Sequence, residues 1–302
     1  MTIPSWLVIG LVAVNIVVLP YFLMMLATSL AALLRRRATP GSGPPRTRFL
    51  VLIPAHDEEE GIAATLRSCL ALDYPADLFK VLVIADNCTD QTALVARREG
   101  ATVVERHDLT KKSKGHAIDF LIQQLRRTGE LATYDALVVI DADSTASAGL
   151  LTGFAQAIEA GHEWAQCFYT VANPEGSWRT RLLTYAFTLF NGVTPLGQSL
   201  LGLSAGFRGN GMCFGTKGLQ RVPWQSHGLV EDMEYSWSVR IAGDKVAFLP
   251  DVQVRGLMLA RGGKAAASQR QRWERGRQEL RRRMLLPLLK SRHLGWYQKL
   301  AS

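Results

Sequence analysis

Charge is missing from one end of this 302-residue chain, and acid is scarce at the other. Between Ile3 and Leu34 there is no Asp, Glu, Lys, Arg or His. From Arg255 onward 13 Lys and Arg stand against two acids, Glu274 and Glu279, so the whole surplus behind the net charge of +9 lies in that tail. Cysteine is sparse as well. Cys69, Cys88, Cys167 and Cys213 form no CxxC pair, which excludes a disulfide scaffold and a cysteine-rich zinc module and points to a reducing compartment. No GxGxxG or GxxxxGK[ST] follows the first predicted strand, which argues against dinucleotide oxidoreductases and P-loop NTPases. The basic tail carries no nucleic-acid-binding motif, so no nucleic-acid partner is expected. Its cations suit anionic lipid headgroups or a pyrophosphate. What the chain does have is 48% hydrophobic residues, enough for a large core.

The uncharged run exceeds the roughly 20 residues that cross a bilayer as a helix. Arg35, Arg36 and Arg37 follow it at once and no basic side chain precedes it. The positive-inside rule then assigns the rest of the chain to the cytoplasm, and the missing basic n-region disfavours a cleaved signal peptide. Residues 1–37 are therefore read as a transmembrane anchor that Pro20 could kink. The Pro/Gly/Ser-rich residues 38–47 read as a linker and 48–278 as one α/β domain. In 279–302, Arg281, Arg282 and Arg283 mix with Met284, Leu285, Leu286, Leu288, Leu289 and Trp296. That segment is expected to be an interfacial amphipathic helix, interrupted by Pro287. A second charge-free stretch, Leu182–Phe207, is diluted by Asn191, Pro195, Gln198 and several glycines. It reads as a helix and loop lining an acceptor site or lying on the membrane, rather than as a second span.

Inside the domain, short apolar runs alternate with helical segments. Phe49–Pro54, Val81–Ala85, Ala101–Val104 and Ala136–Ile140 read as strands; Glu59–Ala71, Gln91–Arg98 and Ser113–Arg127 read as helices. This order predicts a mostly parallel sheet with helices on both faces. Ligands of such sheets bind beyond the carboxyl ends of the strands. Acids gather at three of those ends, in His56-Asp57-Glu58-Glu59, in Asp86 to Asp90, and in Asp141-Ala142-Asp143.

Asp141 and Asp143, at i and i+2 past a buried strand, can face one side. Their hard oxygen ligands suit Mg2+ or Mn2+, an ion that bridges the phosphates of a nucleotide and neutralises a leaving diphosphate. A DxD alone is a weak signal. Glu231-Asp232 offers a carboxylate to take a proton from an attacking hydroxyl, with Asp232 the candidate base and a helix first-turn acid the plain alternative. Gln269, Arg272 and Trp273 share one helix face at i, i+3 and i+4. Arg272 is suited to a pyrophosphate, and Trp273 offers a flat surface for a sugar ring.

The ordered set PAHDEE, ADNCTD, KSKGHAID, DAD, GNGM, ED and QRQRW resembles the inverting family 2 glycosyltransferases of the GT-A fold. That family includes the membrane synthases of cellulose, chitin, hyaluronan and exopolysaccharides, and related lipid glycosyltransferases. The match covers roughly Arg48 to Arg277, and QxxRW is its most diagnostic piece. The resemblance implies that Pro54, His56 and Glu58 line the nucleotide pocket, that Asp86 meets the base edge, typically uracil, and that Lys114 sits near the donor phosphates. It implies Asp141 near ribose or metal and Asp143 as the principal metal ligand. It places Gly209, Asn210 and Gly211 under the donor sugar and acceptor, with Glu231 supporting the base Asp232. Gln269, Arg272 and Trp273 would close over diphosphate and acceptor. The implied reaction moves a sugar, most simply from a UDP-sugar, to a saccharide or lipid-linked acceptor with a β-linkage, on the cytoplasmic side of a bacterial inner membrane. Processive relatives carry further membrane helices after QxxRW; here the sequence ends at Ser302, which leaves processivity open. Two other readings stand beside it. A nucleotidylyltransferase of similar fold would carry a basic, Gly-rich loop where this chain has HDEEE, and an inactive membrane scaffold would use only the basic tail.

Overall fold

The computed structural model describes residues 4, 12, 19, 22–35, 43–259 and 263–300, with the side chains of 264–270 and 300 outside that description. A helix α1 covers 22–33. Then come β1 (Phe49–Ala55), α2 (Ile62–Leu70), β2 (Phe79–Asp86), α3 (Thr92–Arg98), β3 (Thr102–Arg106), α4 (Lys114–Thr128), β4 (Ala136–Val139) and β5 (Ser144–Ala146). The second half contains α5 (Leu150–Glu159), β6 (Trp164–Val171), α6 (Trp178–Phe187), α7 (Thr194–Leu200), β7 (Met212–Gly215), α8 (Thr216–Arg221), α9 (Glu231–Ile241), β8 (Ala247–Gly256), α10 (Lys264–Lys290) and α11 (Trp296–Leu300).

β1 reads as continuous apolar sequence because both its faces are covered. Phe49, Val51 and Ile53 enter one core with Ile62 and Leu66 of α2 and Leu150, Leu151 and Phe154 of α5. Leu50 and Leu52 enter the opposite core with Ile118, Leu121 and Ile122 of α4, Phe214 of β7 and Tyr235 of α9. Each such side chain contributes about 1.5–3 kcal/mol by leaving water. The helix expected over 113–127 is α4. Ser113 caps it by accepting from the His116 amide, and Gly129 ends it in the left-handed region at φ 77°, where a Cβ is disfavoured.

One sheet runs β3-β2-β1-β4-β7-β6-β8-β5. β3, β2, β1 and β4 are parallel, as expected. β8 is parallel to β6, whereas β7 is antiparallel to β4 and β6 and β5 is antiparallel to β8. β5 and β7 have only three and four residues, too few for an alternation pattern to register.

The expected membrane anchor lies largely outside the described residues; among those described, no helix is long and apolar enough to cross a membrane. α1 exposes Phe22, Leu23, Leu26, Leu30 and Leu33, while Thr28 is buried and lies so close to α7 that a Cβ on Gly197 would collide with its carbonyl. Arg35 pairs with Asp251. The charge-free stretch 182–207 comprises most of α6, a π-helical turn Thr188–Val193, α7, which continues the same helical run to Leu200, and the loop that follows. The break expected at Pro287 does not occur: α10 runs unbroken through it and across the domain boundary expected at 278/279. Leu280 and Leu288, on either side of Pro287, are both buried with Val230 and Trp237. This packing carries the helix over a residue that would kink or end an isolated one.

Candidate active site

Loops after β1 and β2 are knitted to each other. His56 Nδ1 lies 2.8 Å from the Asp86 carbonyl oxygen, and the Glu58 amide donates to Thr92 Oγ1 at 2.8 Å. Asp57 accepts from the amides of Thr89 and Asp90 at 2.7 and 3.4 Å. Asp57 and Asn87 both sit at φ 53°, a strained conformation for non-glycine residues that is common where loops are shaped for function. Asp86 ends β2 and is nearly buried. Arg106, at the end of β3 and equally buried, forms an ion pair with it, and Asn87 Nδ2 donates to the same oxygen at 3.0 Å. Asp57, Cys88 and Asp90 lie close enough together to share a cation, but the carboxylates of Asp57 and Asp90 are committed to closing these loops. Pro54 lies half-buried within β1.

The DxD loop is held from several sides. Ser144 N donates to the Asp141 carbonyl at 3.2 Å and Leu257 N to the Asp143 carbonyl at 3.2 Å. Lys114 donates both to Asp141 and to the Gly209 carbonyl. Burial works against this ammonium, but Asp141, Glu231 and Asp232 outweigh it and raise its pKa. Burial, then the charge of Asp141, pushes the Asp143 carboxyl up. Glu58 is also pushed up, by burial first and then by Asp143 and Asp141. Three carboxylates near one another, with Lys114 as the one ammonium paired to them among the described residues, are an environment that a hard divalent ion would relieve. The ligands present are all oxygen, so Asp143 and Asp141 fit Mg2+ or Mn2+.

Lys114 reaches its partners because the start of α4 docks on the loop before α9. A Cβ on Gly115 would collide with the Ser226 carbonyl, Trp224 Nε1 donates to the Gly115 carbonyl at 3.0 Å, and the rings of His116 and His227 stack at 4.4 Å. Glu231 and Asp232 form the first turn of α9. Burial pushes Glu231 up to about 7, opposed by Lys114 and aided by Asp232. Burial likewise raises Asp232, against the Met233 amide, Lys114 and Arg208. The loop 208–211 passes over this pair. Gly209 has φ +81°, and a Cβ there would lie 3.4 Å from Asp232 Oδ2; Gly211 has φ +65°, and a Cβ there would strike Cys167 Sγ. Backbone conformation thus favours glycine at both positions, and contact distance requires it at Gly211.

Some expected residues are placed differently. Asn210 was expected to meet the acceptor; it is fully buried, and its side chain serves the DxD loop, accepting from the Asp141 amide at 3.1 Å and donating to Ser144 at 2.8 Å. Gly211 is likewise buried beneath the site. Arg272 and Trp273 lie on the exposed side of α10, Trp273 at 37% exposure. Among the described residues neither has a hydrogen-bonded or ionic partner at the acids. They sit about one turn from Gly276, which packs on Leu229 and Val230 beside Glu231. The side chain of Gln269 lies outside the described residues. Other groups were missed. Arg106, Ser144, Gln166 and Arg208 are recruited by tertiary contact alone, and so is Tyr169, whose pKa is pushed up by burial and by Asp141, Asp143 and Asp232. β6, which carries Gln166 and Tyr169, reads as ordinary buried strand (WAQCFYTV). No motif marks them.

The family model described as Glycosyltransferase like family 2 matches residues 44–276. Probable glycosyltransferase YdaM of Bacillus subtilis (strain 168) is 26% identical over 243 residues, 76% of this chain and 54% of that protein. The 4,4'-diaponeurosporenoate glycosyltransferase of Staphylococcus aureus (strain USA300) is 45% identical over 60 residues, 20% of this chain and 15% of that protein. The chain therefore spans about half the length, or less, of these relatives. Mannosyltransferase PcManGT from Pyrobaculum calidifontis, solved in complex with GDP-Man and Mn2+, is similar at TM-score 0.64 and 19% identity, over 87% of this chain and 72% of that one. S. aureus TarS 1–349, solved in complex with UDP-GlcNAc, is similar at TM-score 0.55 and 17% identity, over 83% of this chain and 69% of that one. At these identities the likeness concerns the fold, which is GT-A-like.

Proposed function

Since the chain belongs to glycosyltransferase-like family 2, we propose that it transfers a sugar with inversion from a nucleotide-sugar donor to a hydroxyl of a saccharide or lipid-linked acceptor. The observation that carries this reading is the convergence at Lys114. One ammonium joins the DxD loop to the GNG loop within the field of Glu231 and Asp232. Phosphate-side and proton-accepting groups thereby share one small space.

In this reading Asp143 and Asp141 hold Mg2+ or Mn2+, which supplies charge neutralisation at the departing diphosphate. The half-buried Asp232 accepts the proton of the acceptor hydroxyl as that oxygen attacks the anomeric carbon. The bond from that carbon to the diphosphate breaks on the opposite face, and the nucleoside diphosphate leaves with the negative charge. Glu231 keeps the local field negative and thereby keeps Lys114 charged. Asp86, paired with Arg106, accepts from a ring N–H of the base. Uracil and guanine present such a donor; adenine and cytosine do not. UDP-GlcNAc and GDP-Man are the donors bound by the two similar structures; a UDP-sugar remains the favoured donor.

Membrane association belongs to the same proposal. It is supported by the uncharged run before Arg35, by the basic tail, and by the exposed stripe Trp178, Leu182 and Tyr185 of α6. That helix packs against β6 through Phe187 and Tyr169, at 5.3 Å between rings, beside the acids. Such a wall favours an acceptor with an apolar body. The test is nucleoside diphosphate release by the detergent-solubilised chain from a panel of UDP-, GDP- and dTDP-sugars, with Mn2+, Mg2+ or EDTA and with polyprenyl-phosphate, glycolipid and oligosaccharide acceptors. Metal-dependent release from one donor, lost in Asp143→Ala, is the expected result. Failure to bind any nucleotide with metal present would sink the reading.

A further inference from the structure

The hydrogen bonds around the DxD loop run in one direction. The Asp141 amide can only donate, so the Asn210 atom facing it at 3.1 Å is the carbonyl oxygen Oδ1. The other end of that amide, Nδ2, therefore points at Ser144 Oγ, 2.8 Å away, and can only donate to it. A hydroxyl that accepts there keeps its own proton for another partner. The acceptor in reach is Asp143 Oδ1, at 3.0 Å. Ser144 and Asn210 are 1% and 0% exposed, so water does not compete for the link between them, while Asp143 at the end of the relay is exposed.

Each link is braced from a different element. Thr65, buried in α2, accepts from the Ser144 amide at 3.1 Å and donates to the Ala142 carbonyl at 2.6 Å, which fixes the backbone of the turn. Gln166, buried in β6, donates to the Asn210 carbonyl at 2.8 Å and accepts from the Arg208 amide at 2.9 Å, which fixes the loop that delivers Asn210. Asp143 meanwhile faces like charge from Asp141. A carboxylate on a short turn, repelled by its neighbour, has reason to swing away. Among the described residues the Ser144 hydroxyl is the side-chain donor to Asp143, and it opposes such a swing.

We propose that Ser144 and Asn210 are positioning residues for the divalent cation: Asn210 aims the Ser144 hydroxyl, and that hydroxyl holds the Asp143 carboxylate in the orientation that receives the ion. The inference rests on the glycosyltransferase reading. It adds that the GNG loop acts on the metal side of the site through a buried amide, rather than on the acceptor. Residues that orient a ligand without touching the ion typically govern about 10- to 100-fold in metal affinity.

The experiment compares Ser144→Thr with Ser144→Val in the full chain. The two replacements have the same shape and differ by the hydroxyl, so whatever the added methyl does to folding is common to both. Ser68→Ala is the control: Ser68 Oγ accepts from the Ala146 amide at 3.1 Å, on the same short strand but outside the relay. Mn2+ binding is read directly by the electron paramagnetic resonance signal of the free ion, with UDP as the nucleotide probe. Circular dichroism and melting temperature are recorded for each variant. Ser144→Val is expected to bind Mn2+ about 10- to 100-fold more weakly, while Ser144→Thr and Ser68→Ala stay close to the native chain. In turnover, the Val defect should appear as a raised requirement for Mn2+ that saturating ion largely repairs. Equal Mn2+ affinity in the folded Thr and Val variants overturns the inference and leaves the glycosyltransferase reading intact. A native chain that binds neither UDP nor GDP in the presence of Mn2+ overturns the reading itself, and the inference with it.

Discussion

The two halves of the sheet deliver their functional groups by different routes. In the parallel half, β3-β2-β1-β4, each acid follows directly on a buried strand. Asp86 closes β2, and Asp141 comes two residues after β4. In the mixed half, β7-β6-β8-β5, Gln166 and Tyr169 lie within a strand whose local sequence announces nothing, and Ser144 and Arg208 adjoin motifs without belonging to them. The contrast shows where chemistry is locally encoded. A strand end exposes its next residues to the sheet edge whatever else the protein does, whereas a buried amide or hydroxyl acquires a task only when another segment arrives beside it.

The comparison can be attacked at its strongest point first. Asp232 belongs to both halves, since it is read from a short motif but tuned by burial and by Lys114. Asp232→Asn should lower kcat by about 10²- to 10⁴-fold, the usual range for a general base, while donor binding measured by calorimetry is retained. Turnover near the native rate would remove Asp232 from the chemistry.

Arg106 tests whether the parallel half is as self-sufficient as its sequence suggests. It forms a buried pair with Asp86, and removing one partner of such a pair costs about 3–5 kcal/mol. Arg106→Met should therefore lower the denaturation midpoint markedly and weaken nucleotide binding. The double variant Arg106→Met/Asp86→Asn should recover much of the stability but not the binding. Recovery of both would show that Asp86 does not meet the base.

The smallest and sharpest effect is in pH. Glu231 and Asp232 are both pushed up, Glu231 to about 7, and the base must be ionised to act. Activity should thus rise as pH rises through a range above the ordinary carboxylate values, rather than being complete by pH 5. Lys114 lowers both groups, so in Lys114→Met the residual activity should need a still higher pH. An acid limb in that variant at or below the native position would exclude the coupling.

Much of the architecture was legible early because it depends on periodicity. The continuous apolar run of β1 and the helical stripe Ala117, Ile118, Leu121, Ile122 and Leu125 of α4 follow from which side chains must leave water. β5 and β7 were not legible, being too short to carry a period. Pro287 misled, because the packing of Leu280 and Leu288 outweighs its local preference. Of the site, the acids and Lys114 were legible as motifs. Asn210 was found, but its contact with the DxD loop was not: glycine on either side marks a tight loop, and no local signal says which way the buried amide points.

By itself, the sequence determined the alternation of strands and helices as far as Ile140, the acids at the strand ends and the concentration of positive charge in the tail. These are properties of adjacent residues, set by burial and by the direction of the chain. Only the tertiary structure decided that Lys114 would join Asp141 to Gly209, that Arg106 would balance Asp86, and that Asn210 would serve Asp143 through Ser144. Each of these is a polar contact between segments far apart in sequence. Such contacts are specified by the packing that excludes water around them, and no short stretch of residues contains that information.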